Sequence, residues 1–357
     1  MDLLAGWTIA VTADRRAAEQ SDLLQRRGAE VLLTPTVTTA PCDDQAVADV
    51  TRRVVSGPVD HVVITTGIGL RSWVAMAWSW GLGEPLLDLL STATVWARGA
   101  KAVGALIGEG LPGATDHGET LDEVRDAMLA AGVAGHRIVV QCHGGDQRSF
   151  VAALRAAGAE VHEVAVYAVT PSPTAASLAR LTGACRDGQL DAITFTSPTA
   201  VDAIVTDGTL AEALRAGSVR SACVGPVTAA AARAAALPHV VVPGTHRMGS
   251  MLRALGEEMA GRGRSFRVHG VDVRHQGSRV AVDGTVVRLT PRERRLLEAM
   301  LSASGAVLSK DRLAAIAWDE PVDGHTVEVT VNRLRRKLGP AAAAVETTNR
   351  RGYRIAV

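Results

Sequence analysis

Residues 326–338 combine an apolar face and a polar face in a way that suits contact with nucleic acid. On a helix, one buried face would be formed by Val327, Val331, Leu334 and Leu338. The opposite face and its edges would carry Thr326, Val329, Asn332, Arg333, Arg336 and Lys337. A valine within a polar face can contact a thymine methyl group, and arginines can bind guanine edges or phosphates. The pattern predicts a DNA-reading helix; the alternative interpretation is a basic surface helix with one stray valine.

Two further helices are predicted just before this stretch. Thr290 is placed as the N-cap of the first, with Pro291 at the first helical position and Glu293 as the capping-box partner. The second covers residues 309–318 and is again opened by a serine cap. These helices are the elements that would position the DNA-reading helix.

Short antiparallel strands are predicted on both sides of the three helices. Upstream, residues 268–273 and 280–287 have strand character, with a turn at Asp283-Gly284. Downstream, residues 345–357 form two short strands joined by a turn at Arg351-Gly352. Three helices followed by a basic hairpin predict a winged helix-turn-helix.

The region from about residue 266 to residue 357 closely resembles the DNA-binding effector domain of the OmpR/PhoB response-regulator family. The matching motifs are Leu289-Thr-Pro-Arg-Glu293, Thr326-Val-x-Val329, Arg333-Leu-Arg-Arg-Lys-Leu338 and Gly352-Tyr353. The resemblance implies that Val329 and Arg333 lie in the major groove of double-stranded DNA and that the wing enters the neighbouring minor groove. Asn349 stands where the family has a wing arginine, so that role would pass to Arg350 or Arg351.

The preceding 258 residues contain an internal repeat. Four segments recur at offsets of 126 to 131 residues, and they begin near Gly6 and Gly135, Gly28 and Gly158, Asp60 and Asp191, and Gly99 and Gly225. Apolar strand patterns alternate with helical patterns in each copy. The repeat therefore predicts an α/β body of two duplicated parallel lobes.

Proline-rich breaks at residues 34–41 and 167–173 follow the second strand of each β-α-β unit. They suggest that the chain leaves lobe one, builds lobe two and then returns, with a ligand held between the lobes. The predicted boundaries are lobe one at 1–36 and 171–258, lobe two at 37–170, a linker at 259–265 and the winged helix at 266–357.

Residues 1–258 resemble uroporphyrinogen-III synthase. The motifs that carry the resemblance are Gly6…Val11-Thr12, Gly28-Ala-Glu-Val31, Tyr167, Thr196-Ser-Pro-Thr-Ala-Val201 and Val224-Gly-Pro-Val-Thr-Ala229. That enzyme closes a linear tetrapyrrole with inversion of the last ring and uses no cofactor. Its substrate has eight carboxylates, which hydroxyl groups and backbone N–H groups at helix starts can bind.

The resemblance implies a polyanion site built from hydroxyl side chains. The implied ligand-binding residues are Thr12, Thr65, Thr66, Thr196, Ser197 and Thr228. Tyr167 is the candidate catalytic residue, assisting loss of the substrate hydroxyl; the alternative interpretation is a packed tyrosine whose O–H is satisfied. Ala13 replaces an arginine common in the family and Ala102 replaces a threonine, so these departures predict weak or lost synthase activity.

Composition adds a few expectations. The net charge is +1, the four cysteines form no CxxC pair, and no metal-ligand spacing is present. No apolar run reaches the roughly 20 residues of a membrane span, and the first residues lack the pattern of a signal peptide. We expect a cytoplasmic protein without metal or cofactor and without a membrane partner. Asp43-Asp44 follows a proline break rather than a strand and is expected to be a solvated loop, so the phospho-receiver site usual with this DNA-binding family is not expected.

The combined prediction is a cytoplasmic transcription regulator with a uroporphyrinogen-III-synthase-like sensor body and a winged-helix reader. The resemblance implies control of nitrate and nitrite assimilation, since bacterial regulators of this layout act there. Paired DNA half-sites would call for a homo-oligomer. Two alternatives stay open: a working synthase with an appended DNA-binding domain, and a body that serves only as a dimerisation scaffold.

Overall fold

The computed structural model describes residues 2–111, 116–142 and 147–356. The chain forms two compact units. Unit one contains residues 1–37 and 171–357, and unit two contains residues 38–170. Within the described residues, no helix is both long and apolar enough to cross a membrane.

The strands, in chain order, are β1 (Thr8–Val11), β2 (Glu30–Leu33), β3 (Val37–Pro41), β4 (His61–Ile64), β5 (Thr94–Ala97), β6 (Arg137–Gln141), β7 (Glu160–Val164), β8 (Tyr167–Pro171), β9 (Ala192–Phe195), β10 (Arg220–Cys223), β11 (Val240–Val241), β12 (Arg264–Val268), β13 (Val271–Gln276), β14 (Arg279–Val282), β15 (Thr285–Arg288), β16 (Val345–Thr348) and β17 (Gly352–Ile355).

The helices are α1 (Ala17–Gln25), α2 (Asp44–Val55), α3 (Gly67–Ser79), α4 (Gly83–Thr92), α5 (Gly99–Gly108), α6 (Leu121–Ala131), α7 (Arg148–Ala156), α8 (Ala175–Arg186), α9 (Pro198–Val205), α10 (Gly208–Ala216), α11 (Pro226–Ala234), α12 (Met248–Ala260), α13 (Pro291–Ser302), α14 (Lys310–Ala317) and α15 (Gly324–Leu338). A short 3-10 helix follows α15 at Gly339–Ala344.

Unit one contains a parallel sheet in the order β11-β10-β9-β1-β2. Its central strands are buried along almost their whole length, and Ile9, Val11 and Phe195, for example, have no exposed surface. Strands that are buried on both faces are what a parallel sheet covered by helices requires. The sheet therefore brings the ends of β1, β9 and β10, and the helix starts that follow them, to one edge.

Unit two contains a parallel sheet in the order β5-β4-β6-β7. Under the repeat seen in the sequence, these strands correspond to β10, β9, β1 and β2 of unit one, and they stand in the same order. The structure thus confirms the predicted α/β fold with parallel sheets, and its two sheets have matching topology. The strands β3 and β8 form a separate two-stranded sheet. The acidic pair was expected in a loop without a preceding strand, and this was wrong: β3 ends at Pro41, two residues before Asp43, which caps α2 by accepting the Ala46 N–H, and Asp44 begins that helix.

The C-terminal region of unit one, residues 264–356, contains an antiparallel sheet in the order β12-β13-β14-β15, three helices and the hairpin β16-β17. The predicted Asp283-Gly284 turn is confirmed, since both residues have positive φ, at 44° and 83°, as a two-residue type I′ hairpin needs. The predicted linker at 259–265 overlaps α12 and β12, which leaves residues 261–263 as the turn between them.

The predicted caps and hairpin also form in this region. Thr290 caps α13 in a capping box with Glu293, and Ser309 caps α14. The pairing of Thr348 with Gly352 places the turn of the hairpin at residues 349–351. The predicted turn at Arg351-Gly352 was therefore wrong by about one residue, because Gly352 pairs within the strand.

Candidate nucleic-acid interface and ligand site

The helix α15 buries the apolar face that its sequence predicts. Val327, Val331, Leu334 and Leu338 have no exposed surface and join the core of the C-terminal region. Asp323 caps the helix by accepting the Thr326 N–H at 2.8 Å, and Gly339, at φ 51°, follows its last residue. The helix is thus fixed in rotation, so that its polar face points away from the core.

The polar face of α15 lines a groove of about 910 Å³. Val329 is half-buried in this groove, whereas Arg333 and Arg336 are exposed. The hydroxyl of Thr326 also lines it and donates to Asp323 at 2.6 Å. Asn332 is exposed but is not among the residues that line the groove. An apolar side chain flanked by two exposed guanidinium groups is the combination that reads base edges and phosphates.

Lys337 is the member of the predicted DNA-binding set that is most engaged inside the protein. Its ammonium group donates to the Glu293 carboxylate at 2.7 Å and to the Arg288 carbonyl at 2.8 Å. Burial alone would raise the pKa of Glu293, but the hydrogen bonds from Lys337 and from the capping residue Thr290 lower it overall. Lys337 thus ties α15 to the start of α13, and its contact with DNA stays a prediction.

Arg335 has a role that the sequence pattern did not reveal. Its guanidinium donates to the Val345 carbonyl at 2.6 and 2.9 Å and to the Thr347 hydroxyl at 2.8 Å. It also lies 5.6 Å from the ring centre of Tyr353. Arg335 therefore holds the hairpin β16-β17 against α15. Its position in the sequence could have indicated this role, because Arg335 lies between the buried face and the outward face of the helix.

The hairpin tip carries the two arginines predicted to take the place of the wing arginine. Arg350 and Arg351 are both exposed in the three-residue turn, and Arg350 has a φ of 58°. The wing is thus positively charged at its tip, and its base is attached to α15 through Arg335. The assignment of individual side chains to DNA remains a prediction.

Unit two contains a hydroxyl pair at the ends of its strands. Thr66 caps α3 by accepting the Gly69 N–H at 3.1 Å, and its hydroxyl lies 3.2 Å from the hydroxyl of Tyr167. Either hydroxyl can be the donor. The neighbouring Thr65 is buried and donates to the Gln141 carbonyl at 2.7 Å. The Thr66 and Tyr167 hydroxyl groups are therefore the accessible ones, whereas the Thr65 hydroxyl is occupied by a hydrogen bond within the sheet.

Arg98 lies in the same region and was not predicted from the sequence. It directly follows β5, and its electrostatic neighbours include Tyr167 and Glu119. Burial lowers the pKa of Arg98, and Tyr167 and Glu119 act in the opposite direction. The repeat offered a clue, since Val224 occupies the matching position in the other copy, so the charge is specific to unit two.

The predicted ligand residues of unit one lie at the ends of its strands and the starts of its helices. Ser197 caps α9 by accepting the Ala200 N–H at 3.3 Å, next to half-buried Thr196. Thr228 is buried in the first turn of α11. Thr12 has no exposed surface and donates to the Thr194 carbonyl at 2.7 Å, so its hydroxyl is occupied within the sheet. The assignment of these residues to a ligand stays a prediction.

Two features bear on metals and thiol chemistry. Among residues 2–111, 116–142 and 147–356, no three His, Cys, Asp or Glu side chains cluster as metal ligands would. Burial raises the pKa of the Cys142, Cys185 and Cys223 thiols to about 12. These three thiols are therefore protonated at neutral pH and poorly suited to act as nucleophiles.

Two family models match the chain. The model of uroporphyrinogen-III synthase HemD matches residues 18–253, and the model of the C-terminal domain of transcriptional regulatory proteins matches residues 284–355. Together they cover the two parts predicted from the sequence.

Individual relatives agree with this division. An uncharacterized protein, YjjA of Bacillus subtilis strain 168, is 28% identical over 261 residues, which cover 71% of this chain and 96% of YjjA. The transcriptional regulatory protein CutR of Streptomyces coelicolor is 47% identical over 75 residues, covering 20% of this chain and 34% of CutR. The chain thus spans about a third of CutR's length.

A solved structure matches the body. A mutant uroporphyrinogen III synthase from the extremely thermophilic bacterium Thermus thermophilus has 29% sequence identity and a TM-score of 0.57, over 70% of this chain and 99% of that one.

Proposed function

This chain belongs to the uroporphyrinogen-III synthase HemD family and carries a C-terminal OmpR/PhoB-type DNA-binding domain, and we propose that it is a transcriptional regulator whose body binds a tetrapyrrole or a similar polycarboxylate. Its DNA partner is double-stranded, as for other winged-helix domains. The ligand would bias the affinity of the chain for its operator.

The observation that carries the DNA-binding half is the outward face of α15. Val329, Arg333 and Arg336 line one groove, while the four apolar residues on the other side of the helix are fully buried. The test is to select duplexes bound by the full-length protein from a random-sequence pool and to sequence them. We expect a repeated motif. Recovery of duplexes with no shared motif would contradict sequence-specific regulation.

The ligand-binding half rests on Thr66, Tyr167 and Arg98 in unit two. The half-buried guanidinium of Arg98 and two hydroxyl groups at the start of a helix offer hydrogen-bond donors to a carboxylate. Eight carboxylates on a uroporphyrinogen-type ligand would suit such a donor set. Siroheme and uroporphyrin III are practical probes, because their binding can be followed by quenching of tryptophan fluorescence.

A matched pair of variants tests this site. Arg98→Leu should weaken binding of uroporphyrin III at least about tenfold, since a lost charge-assisted hydrogen bond is typically worth about 1.5–3 kcal/mol. Arg52→Leu removes an arginine of the same unit whose side chain is about half-exposed and paired with Asp49 on its own helix, so it should leave binding unchanged. Equal binding by both variants and the wild type would exclude Arg98 from the site.

We further propose that the controlled pathway is nitrate and nitrite assimilation, in which siroheme, made from uroporphyrinogen III, is the cofactor of assimilatory nitrite reductase. The support is chemical: a HemD-type body suits a tetrapyrrole signal. The test is transcript profiling of a deletion strain on nitrate and on ammonium. Unchanged expression of nitrate and nitrite reductase genes would contradict this pathway.

A second function, residual uroporphyrinogen-III synthase activity, is favoured by one observation. Tyr167, the residue that would assist loss of the substrate hydroxyl, is present and lies 3.2 Å from the Thr66 hydroxyl. Ala13 and Ala102 weigh against it, because both positions lack the polar groups common in the family. Incubation of the protein with hydroxymethylbilane, with analysis of the product isomers, distinguishes the two functions.

A further inference from the structure

The C-terminal region of unit one is held against the parallel sheet of the same unit by a buried ion pair. Arg294 on α13 donates to the Asp191 carboxylate at 2.5 and 3.2 Å. The two side chains are 7% and 3% exposed. Asp191 also accepts the Thr8 N–H at 2.9 Å, and Arg294 also donates to Glu298 at 2.9 Å. Both partners are thus anchored on their own sides of the contact.

The same contact includes an approach of two glycine backbones. The carbonyl of Gly6 accepts the Ser278 N–H at 2.8 Å. Gly6 and Gly277 have φ angles of 81° and 56°, and a Cβ atom on either would collide with the opposite backbone. Gln276 donates its side-chain amide to the carbonyls of Asp2 and Leu3, both at 3.1 Å. The two surfaces are therefore complementary at the level of the main chain.

An indole ring completes the contact. The guanidinium groups of Arg262 and Arg294 lie 5.4 and 5.3 Å from the ring centre of Trp7. The ring is 2% exposed. Cation–π contacts of this kind are strongest where water is excluded. The ion pair, the glycine contact and the stacked indole together form the docking contact.

Docking also determines what faces the DNA-reading helix. The groove lined by Val329, Arg333 and Arg336 is also lined by Asp187 and Gln189, from the loop after α8. The neighbouring Arg295 of α13 donates to the carbonyl of Arg186, the last residue of α8, from which that loop begins. The loop is therefore held beside the polar face of α15.

A DNA duplex would not be accommodated well in this groove. To read base edges, a helix enters a major groove about 12 Å wide and about 8.5 Å deep, flanked on both sides by phosphate strands. A duplex seated on Arg333 and Arg336 would bring one of these strands toward the loop that carries Asp187, a like charge. DNA would therefore reach the polar face of α15 more easily if the docking contact opened and α13 moved away from the loop.

We propose that the docking contact is an autoinhibitory surface, which holds the DNA-binding domain in a closed state and is latched by Asp191 and Arg294. The partner that this surface of the HemD-type body fits is the reader domain of its own chain. The proposal rests on the DNA-binding function proposed above. A ligand or a DNA site that favours the open state would shift the balance only by its differential affinity for the two states.

The test compares three full-length proteins for binding to a fluorescent random-sequence duplex at fixed salt. Asp191→Asn removes the charge of the latch but keeps an oxygen to accept the Thr8 N–H. It should tighten binding about 5-fold or more, within the usual range of coupling between sites. Glu30→Gln is the matched control: it removes an ion pair to Arg288 across the same contact, but one in which the arginine side chain is 68% exposed. Exposed pairs contribute little, so binding should stay within about twofold.

Hydrogen exchange of the segment 276–282 reports opening, because the Ser278 amide is bonded across the contact. Faster exchange and tighter DNA binding in Asp191→Asn support the latch. Faster exchange with unchanged DNA affinity overturns autoinhibition, and no change in either overturns the role of the pair. If Asp191→Asn fails to fold, the double variant Asp191→Asn/Arg294→Met, which leaves no unpaired buried charge, takes its place. Failure of every form to bind DNA would instead contradict the DNA-binding function.

Discussion

Asp60 and Asp191 occupy the same position in the two sheets of the body. Each carboxylate accepts the backbone N–H at the start of the neighbouring central strand, from Arg137 at 2.8 Å and from Thr8 at 2.9 Å. Asp191 in addition binds an arginine of the C-terminal region. Asp60 is exposed, whereas Asp191 is buried. One copy of a duplicated structural carboxylate thus also forms the link to the DNA-binding domain.

This difference predicts unequal costs for the same substitution. Asp60→Asn should lower the free energy of unfolding by about 1 kcal/mol or less. The asparagine side-chain oxygen can still accept the Arg137 N–H, and only a solvated charge is lost. Asp191→Asn leaves Arg294 without its buried partner and should cost up to about 3 kcal/mol. Urea denaturation of the two variants measures the difference. Similar costs would show that burial of the Arg294 pair adds nothing to stability.

Substitution of Arg333 should affect DNA recognition, whereas substitution of Arg335 should affect stability. Arg333→Ala should weaken binding to the selected duplex by about 1–3 kcal/mol and relax its base preference. Arg335→Ala should mainly lower the unfolding temperature, because Arg335 holds the hairpin through Val345 and Tyr353. Binding isotherms on selected and random duplexes, with thermal melts, measure both effects. If Arg333→Ala lowered the affinity for both duplexes equally, Arg333 would contact phosphate and not a base.

His275 should make stability depend on pH. Burial lowers its pKa, with Glu298 acting in the opposite direction and Arg294 in the same one. The unfolded chain therefore binds a proton more readily than the folded one, and stability should fall as the pH drops below about 6.5, the ordinary value for histidine. Its ring also bonds to the Gly277 carbonyl at 2.9 Å.

His275→Gln should remove about 1 kcal/mol of the stability lost between about pH 7.5 and about pH 5.5. His269→Asn, at an exposed turn with a φ of 47°, is the control and should leave the slope unchanged. Urea denaturation at the two pH values gives both slopes. A slope in His275→Gln equal to that of the wild type would assign the pH dependence to other groups.

The features predicted well from the sequence are those set by local spacing. The buried face of α15 follows from residues three and four apart, and the box of Thr290 and Glu293 follows from a fixed separation of three. The pair Asp191–Arg294 is separated by 103 residues, so no local pattern marks it. Whether a hydroxyl such as that of Thr12 is free or bonded depends on which strand lies beside it, here the one that contains Thr194.

Arg98 shows why the proposed ligand site goes beyond what the sequence predicted. Its place in that proposal comes from its electrostatic contact with Tyr167, a residue far along the chain, and not from its immediate neighbours. Thr66 was found because the resemblance to uroporphyrinogen-III synthase implied it, and the structure shows that it also caps α3. Residues that act through long-range proximity therefore require the fold, whereas caps and helix faces do not.

Synthase activity distinguishes a regulator from a working uroporphyrinogen-III synthase. Ala13 is 2% exposed and Ala102 is fully buried, so neither position offers a polar group to a substrate. We therefore expect full-length protein given hydroxymethylbilane to yield mainly the isomer formed spontaneously, type I, with little of type III.

Tyr167→Phe should change this ratio only slightly, yet it should weaken binding of uroporphyrin III, because the Thr66 hydroxyl loses its neighbour. Chromatography of the oxidised products gives the ratio, and Phe150→Leu, in the hydrophobic core of the same unit, controls for loss of folding. Turnover comparable to that of a dedicated synthase, abolished in Tyr167→Phe, would establish the chain as a working enzyme with an appended reader.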